Sequence, residues 1–541
     1  MERDQIISRI WDVIVVGTGI GGATLGYALA KAGKSVLFCE KGPSHLGHDG
    51  HFLEDDWAES YFFREGGTVP LDSYLRRAGR SYERIRDMSD GSGKAFTPTL
   101  GTGTGGSSAL YGMALERFFP GDFTPRRFFA DAPEANLPDA WPIALEDIAP
   151  YYTKAEELYR VRATPDPLRP VGEERGIRVP PPFSAGNAEL VERFRAKGLN
   201  PYYLPMACDY KPGCKECIGF ICKLRCKGDS ANICVEPAVR DHGAILIDKC
   251  DVESLEAGAS RVEAVHCRWN GEPVTLRART VVLGAGAIHT AAILLRSGGV
   301  DRPEGLANRS GEVGRNLMRH FLDYYIVYPK TRPAPDALVK QIALNDLYFT
   351  SGAKYGTLQS NGRLPPVRNL AMGLREDLRK KSSLLGAAFP ALLPFVEFGF
   401  RRMLSGSLVL ASIMEDLPYR DNRIGLAPDG KAITFNYRIH PYDRARIAQF
   451  RGKIAELLAP HRFHMLKLAE RNRALGHMCG TCRFGVDPTT SVLDRNNRAH
   501  DLDNLYVVDS SFFPSSAGTN PSLTIAANAL RVAEKIAASS T

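Results

Sequence analysis

The chain has 541 residues, 44% apolar and 24% charged, an ordinary globular composition too long for one compact core, so two or more domains are expected. Its net charge of +8, from 69 basic and 61 acidic residues, is spread along the sequence without a basic tail, so no nucleic-acid partner is expected. The N-terminus lacks an apolar signal core and no uninterrupted apolar run is long enough to cross a bilayer, so no membrane span is expected and the default location is cytoplasmic. Eleven cysteines, an odd number without a signal, argue against a disulfide framework.

The segment Trp11 to Gly42 organises the rest. An apolar strand, Val13 to Val16, enters the turn Gly17-Thr18-Gly19-Ile20-Gly21-Gly22. A small-residue helix follows, then a second apolar strand, Ser35 to Cys39, that ends on Glu40. Strand, G-x-G-x-x-G turn, helix, strand and acid in this register make a dinucleotide-binding βαβ unit. Gly17 permits the tight turn, Gly19 admits a pyrophosphate close to the backbone, and Gly22 lets helix and strand pack. The helix N-terminus offers N–H groups to phosphates. Glu40 is placed to accept from ribose hydroxyls and would repel a 2′-phosphate, which disfavours NADP. The motif alone leaves NAD and FAD open.

Beyond it, His45 to Lys94 shows no clear periodicity and reads as a long excursion over the cofactor. A second glycine stretch, Leu100 to Ser108 (LGTGTGGSS), is either a flexible loop or a backbone surface for a flat ring or a pyrophosphate. Trp141 to Val161 carries a helix start with Asp147 just ahead of Pro150. The proline-rich stretch Pro165 to Phe183 suits a domain boundary. Arg279 to Leu283 reads as a buried strand that runs through Gly284-Ala285-Gly286-Ala287 into a helix, a return to the cofactor domain. Residues 322–475 hold no nucleotide motif and form a natural substrate domain. Within them, Leu384 to Phe400 is apolar but broken by Pro390, Pro394 and Glu397. It reads as a buried or lid-like segment, with an interfacial membrane patch as the alternative. A last strand, Leu505 to Val508, leads through Asp509 into a terminal amphipathic helix.

Several of these segments, in order and over nearly the whole length, resemble the glucose–methanol–choline (GMC) oxidoreductases. GTGIGGA with Glu40, GTGGSSALYGMALERFFPGDF, WPIALEDIAPYYTKAEELY, GAGAIHTAAILLRSGG, VGRNLMRH, EDLPYRDNRIGL and GHMCGTCRFGVDPTTSVLD through SSAGTNPSLTIAANAL all match family patterns. The resemblance implies an α/β fold: a Rossmann-like FAD-binding domain built from discontinuous segments (1–125, 206–321 and 476–541). An α+β substrate-binding domain with an antiparallel sheet (322–475) and a cap region with linker (126–205) would complete it. It implies FAD, held non-covalently because Leu100 to Ala109 lacks the histidine that tethers flavin in some relatives. Cofactor contacts would come from Gly17, Gly19, Gly22, Glu40, Gly103, Gly105, Gly106, Ser107, Ala285, Asp509 and Pro521.

The implied reaction is oxidation of a small-molecule alcohol, with oxygen or another electron acceptor taking the electrons. His477 stands where the family places the base that removes the hydroxyl proton while hydride leaves the carbinol carbon for flavin N5. Asn520, at the second family position, can orient the substrate oxygen but cannot act as a base. Glu415 is a further candidate facing the substrate, or a surface acid in a turn. A sugar or aminosugar hydroxyl, as in aminoglycoside-type biosynthesis, is the implied substrate. The rivals are an electron-transfer subunit with a membrane or protein acceptor, a non-redox flavoenzyme of lyase or photodecarboxylase type, and a non-catalytic flavin-binding protein. The spacing Cys214-x2-Cys217-x4-Cys222-x3-Cys226 resembles a metal-ligand run, yet its second half looks like cluster-free relatives. Free thiols, zinc or iron–sulfur, and a disulfide stay open, and no metal ligand is assigned.

Overall fold

The computed structural model describes residues 1–47, 52–170, 172–350, 352–470 and 477–539. Its first sheet forms around the leading βαβ unit. Strands Ile10–Val16 and Val36–Cys39 pair in parallel, flanked by Ile245–Ile247 on one side and Glu272–Leu283 on the other. Glu272–Leu283 also carries Leu505–Val507 in parallel and continues antiparallel into Val262–Trp269 and Cys250–Ala257. Strands buried on both faces, such as Val13–Val16 and Val36–Cys39, are continuous apolar runs because helices cover each side. Three distant parts of the chain thus build one sheet, as expected of the discontinuous cofactor domain.

The second sheet is antiparallel throughout, in the order Phe463–Leu466, Phe321–Val327, Leu408–Met414, Gly356–Ser360, Ile342–Leu344, Tyr202–Tyr203. The boundary expected between 475 and 476 lies outside the described residues. A small third sheet joins Ile85–Asp87 and Lys94–Phe96 to Arg423–Leu426 and Ile433–Asn436. The stretch read as an irregular excursion therefore holds strands, and also helices Ala58–Arg64 and Leu71–Arg77 around a small core of Leu53, Ala58, Tyr74, Leu75 and Ala78.

The structure adds detail to one further reading and corrects another. The proline-rich stretch after Pro165 is tied down: Arg169 is buried on Glu116 at 3.2 Å, and buried Arg117 binds Glu156 at 2.6 Å and Glu173 at 3.3 Å. The apolar segment after Leu384 is unbroken and is buried along one face only. It is one helix, Ser383–Leu404, continuous through Pro390 and Pro394, with Phe395 and Phe398 76% and 67% exposed. Each proline removes a helix donor, but packing along the preceding helix, Val367–Lys381, keeps the turn count.

Candidate active site

The glycine motif builds one wall of a cavity that receives residues from both large sheets. Helix Ile20–Lys31 starts at Gly19 without a side-chain cap, so its first-turn N–H groups face the cavity. Gly17 has φ +90°, and a Cβ there would stand 2.6 Å from the Gly284 carbonyl oxygen, so no other residue fits. Gly106 meets Gly19 from the opposite loop: its Cβ would stand 3.1 Å from the Gly19 Cα. The two glycine loops leave a backbone-lined groove between them, the cradle a pyrophosphate requires.

Of the predicted cofactor residues, Gly17, Gly19, Glu40, Gly106, Ser107, Ala285, Asp509 and Pro521 line this cavity. Gly22, Gly103 and Gly105 stand behind it. Gly22 packs on the Gly17 carbonyl, Gly103 N–H donates to Glu40 at 3.1 Å, and Gly105 N–H donates to the Thr18 hydroxyl at 3.0 Å. Glu40 is the strut that joins the two loops. Its carboxylate accepts from Thr18 N at 3.1 Å, Thr18 Oγ1 at 2.6 Å, Gly42 N at 3.0 Å and Gly103 N. Burial pushes its pKa up against those bonds. A ribose hydroxyl would share these oxygens rather than find a free one. Asp509 likewise ties two segments: Oδ2 accepts from Gly286 N at 2.9 Å and Thr290 Oγ1 at 2.6 Å, while Oδ1 caps Ser511. Burial raises its pKa too.

His477 and Asn520 line the same cavity. The short motif around His477 is stitched to two others. Cys479 and Met318 exchange backbone bonds at 2.9 and 3.0 Å, and Ser510 Oγ donates to the Met478 carbonyl at 2.6 Å. This stitching brings in His320, a residue the sequence reading did not assign. His320 Nδ1 lies 2.9 Å from His477 Nδ1, and His320 Nε2 lies 3.1 and 3.0 Å from the carbonyl oxygens of Ser516 and Ala517. Carbonyls only accept, so His320 carries its proton on Nε2 and accepts at Nδ1. His477 therefore donates from Nδ1, and its lone pair is left on Nε2. Burial depresses both rings, His320 to about 4 and His477 well below the usual histidine range, with the neighbouring His320 ring and the Lys340 charge adding to the second shift. Neutral imidazole is the resting form of the pair.

Asn520 is 6% exposed and its Oδ1 has no hydrogen-bond partner among the described residues. Gln359, 4% exposed, presents an equally unpartnered Oε1 to the cavity. Lys340, 3% exposed, reaches the same cavity with Nζ donating to the Gly112 carbonyl at 2.6 Å. Burial pushes its ammonium down to about 8. Neither Lys340 nor Gln359 belongs to a motif, so pattern reading could not find them.

Glu415 does not belong here. It is fully buried away from the cavity lining, paired at 2.6 Å with Lys354, which also binds Asp122 at 2.7 Å. Cys208, Cys217, Cys222 and Cys226 are buried beside Met113, Tyr202, Leu204 and Met206. Cys208 and Cys214 approach to 3.7 Å between sulfurs but are unbonded, and the described residues hold no cluster with metal-binding geometry.

Sequence models of the GMC oxidoreductase family match residues 12–322 and 418–529. The chain belongs to the GMC oxidoreductases. It is a flavoprotein with FAD as cofactor and an oxidoreductase acting on alcohol groups. It is 30% identical to 6'''-hydroxyparomomycin C oxidase of Streptomyces lividus and 29% to paromamine 6'-oxidase of Streptomyces fradiae, each alignment covering 98% of this chain and 92% of the relative. It is 25% identical to 2-methyl-1,2-propanediol dehydrogenase of Mycolicibacterium austroafricanum, over 97% and 95% of the two chains. Pyridoxine 4-oxidase from Mesorbium loti shares the fold at TM-score 0.62 and 19% identity, over 97% and 99% of the chains.

Proposed function

We propose that this GMC oxidoreductase oxidises a hydroxyl of a sugar or aminosugar, with His477 Nε2 as the base and non-covalent FAD in the glycine cradle. The observation that supports the reading is the His320–His477 pair, 2.9 Å apart between Nδ1 atoms, with His477 on the cavity lining. Bound in the cradle, FAD supplies the acceptor for the carbinol hydride. His477 takes the hydroxyl proton on Nε2, and His320 holds its ring in the donating orientation at Nδ1. Asn520 Oδ1 and Gln359 Oε1 are acceptors waiting for donors, and Lys340 is a donor. That combination suits a polyhydroxylated molecule, which can supply both. The two aminoglycoside-oxidase relatives support the same class.

The test is anaerobic bleaching of flavin absorbance across sugars, aminosugars, choline, aryl alcohols and sterols. Bleaching by the sugar classes supports the proposal, and readmitting air then separates oxidase from dehydrogenase. Bleaching by choline or sterols alone overturns the substrate class. No bleaching by any alcohol in a flavin-loaded protein overturns the reaction.

A further inference from the structure

The helical hairpin between two strands of the antiparallel sheet is unaccounted for by alcohol oxidation. It leaves after strand Gly356–Ser360 and returns at Leu408–Met414, which pair with each other from Gly356–Met414 to Ser360–Leu410. Its second helix, Ser383–Leu404, has two apolar faces. One, through Gly386, Phe389, Leu393, Val396 and Phe400, is buried or half-buried, and Gly386 lies against Arg379 of the first helix. The other runs through Leu384, Ala388, Ala391, Phe395 and Phe398 and is exposed, at the spacing of one helical stripe. Leu385 and Leu392 widen it, with 52% and 53% exposure. Between Leu384 and Phe398 every exposed residue is apolar.

We propose that this hairpin seats the protein on an anionic lipid bilayer, with Ser383–Leu404 lying in the plane of the interface. Charge favours that occupant. Arg402 and Arg401, the latter also paired with Glu397 at 2.9 Å, are exposed at one end of the helix, and Arg379, on the neighbouring helix, is exposed near the other. Basic residues rimming an apolar stripe fit headgroup phosphates over acyl chains. Between Leu384 and Phe398 a protein partner would find area but no exposed polar group to fix its register. From Leu384 to Arg402 the stripe is about 27 Å long, enough for shallow burial along its whole length. The helix is long and apolar enough to cross a bilayer by length and composition, but it does not act alone. Its partner helix carries Arg368, Arg375 and Arg379 alongside it, and Glu397 sits within the second helix. Spanning would drag those charges into hydrocarbon.

The seat also fixes what faces the membrane. Gln359 and Asn361 at one root of the hairpin, and Ala411 and Ile413 at the other, line the substrate cavity. The catalytic cavity therefore sits at the base of the docking element.

The test floats the full-length, flavin-loaded protein with vesicles of phosphatidylcholine alone or mixed with phosphatidylglycerol. Flotation with the anionic vesicles, weakened by salt, is expected. Phe395→Glu/Phe398→Glu should reduce partitioning by more than about tenfold while flavin content and turnover of a soluble alcohol stay unchanged. No flotation of the wild type, or equal flotation of the double variant, overturns the proposal. So does light scattering without lipid that shows an oligomer the double variant dissolves, since the face would then pair two copies of this chain.

Discussion

His320 Nδ1 and His477 Nδ1 stand 2.9 Å apart, and the carbonyls behind His320 leave a single way to place the protons. Removing the base, His477→Ala, should lower kcat/KM by about a hundred- to ten-thousandfold with flavin still bound. His320→Leu leaves the base but frees its ring. It should cost about tenfold, the worth of one hydrogen bond, and His320→Asn, which can still accept at a carbonyl oxygen, should recover part of it. Steady-state kinetics on flavin-normalised protein would check both. Equal losses for His320→Leu and His477→Ala would transfer the base assignment to the pair.

The pH profile follows from the same pair. His477 must be neutral to accept a proton, and burial with its charged neighbours holds its pKa well below the ordinary 6.5. Activity on the acid side should therefore persist below pH 6.5. The two histidines also link stability to pH. The folded value of His320, about 4, is below its unfolded one, so its contribution is full above pH 6.5 and is lost as pH falls towards 4. A comparison of melting temperatures of wild type and His320→Asn between pH 7 and 4 should show the wild type losing its margin.

The two glycine loops separate cofactor binding from folding. Gly17 has no room for a Cβ, whereas the nearest atom to a Cβ on Gly19 is the Gly284 carbonyl oxygen at 3.6 Å, an ordinary contact. Gly17→Ala should thus lower the melting temperature, because strain and clash act on the apoprotein itself. Gly19→Val should fold normally and purify without flavin, its side chain standing in the groove. Circular dichroism beside flavin absorbance distinguishes the two, and a flavin-loaded Gly19→Val would refute the placement of the cofactor.

Motif order in the sequence was enough to anticipate the leading βαβ unit and to name His477 and Asn520, which the structure places on the cavity lining, because each depends on contiguous residues with one local geometry. His320 escaped because its meaning lies in a partner 157 residues away. Glu415 misled for the converse reason: an acid in a family segment says nothing of Lys354, which sequesters it. The exposed helix at Ser383–Leu404 was obscured by its prolines, whose local penalty tertiary packing overrode.

Glu415 gives a stability prediction in place of a kinetic one. Glu415→Gln removes a carboxylate from a fully buried pair and leaves Lys354 with Asp122 alone. Breaking such a pair costs about 3–5 kcal/mol, so denaturant midpoints should fall sharply. KM for the alcohol in the surviving folded fraction should not move. A raised KM without loss of stability would return Glu415 to the substrate face.

Lys340 is the buried cation that the proposed substrate would meet in the cavity. Its ammonium is buried, shares the cavity with Asn520 and Gln359, and gives one hydrogen to the Gly112 carbonyl. Two further hydrogens are available to a substrate oxygen. The same charge repels an ammonium on the substrate, and repulsion in a buried site is screened little. Lys340→Met should therefore weaken turnover of neutral polyols and improve that of cationic aminosugars, seen as opposite changes in kcat/KM. It should also raise the acid limb of the profile, since the Lys340 charge is one of the forces that lower the His477 pKa. Parallel loss on both substrate classes with an unmoved acid limb would reduce Lys340 to a structural role on the Gly112 carbonyl.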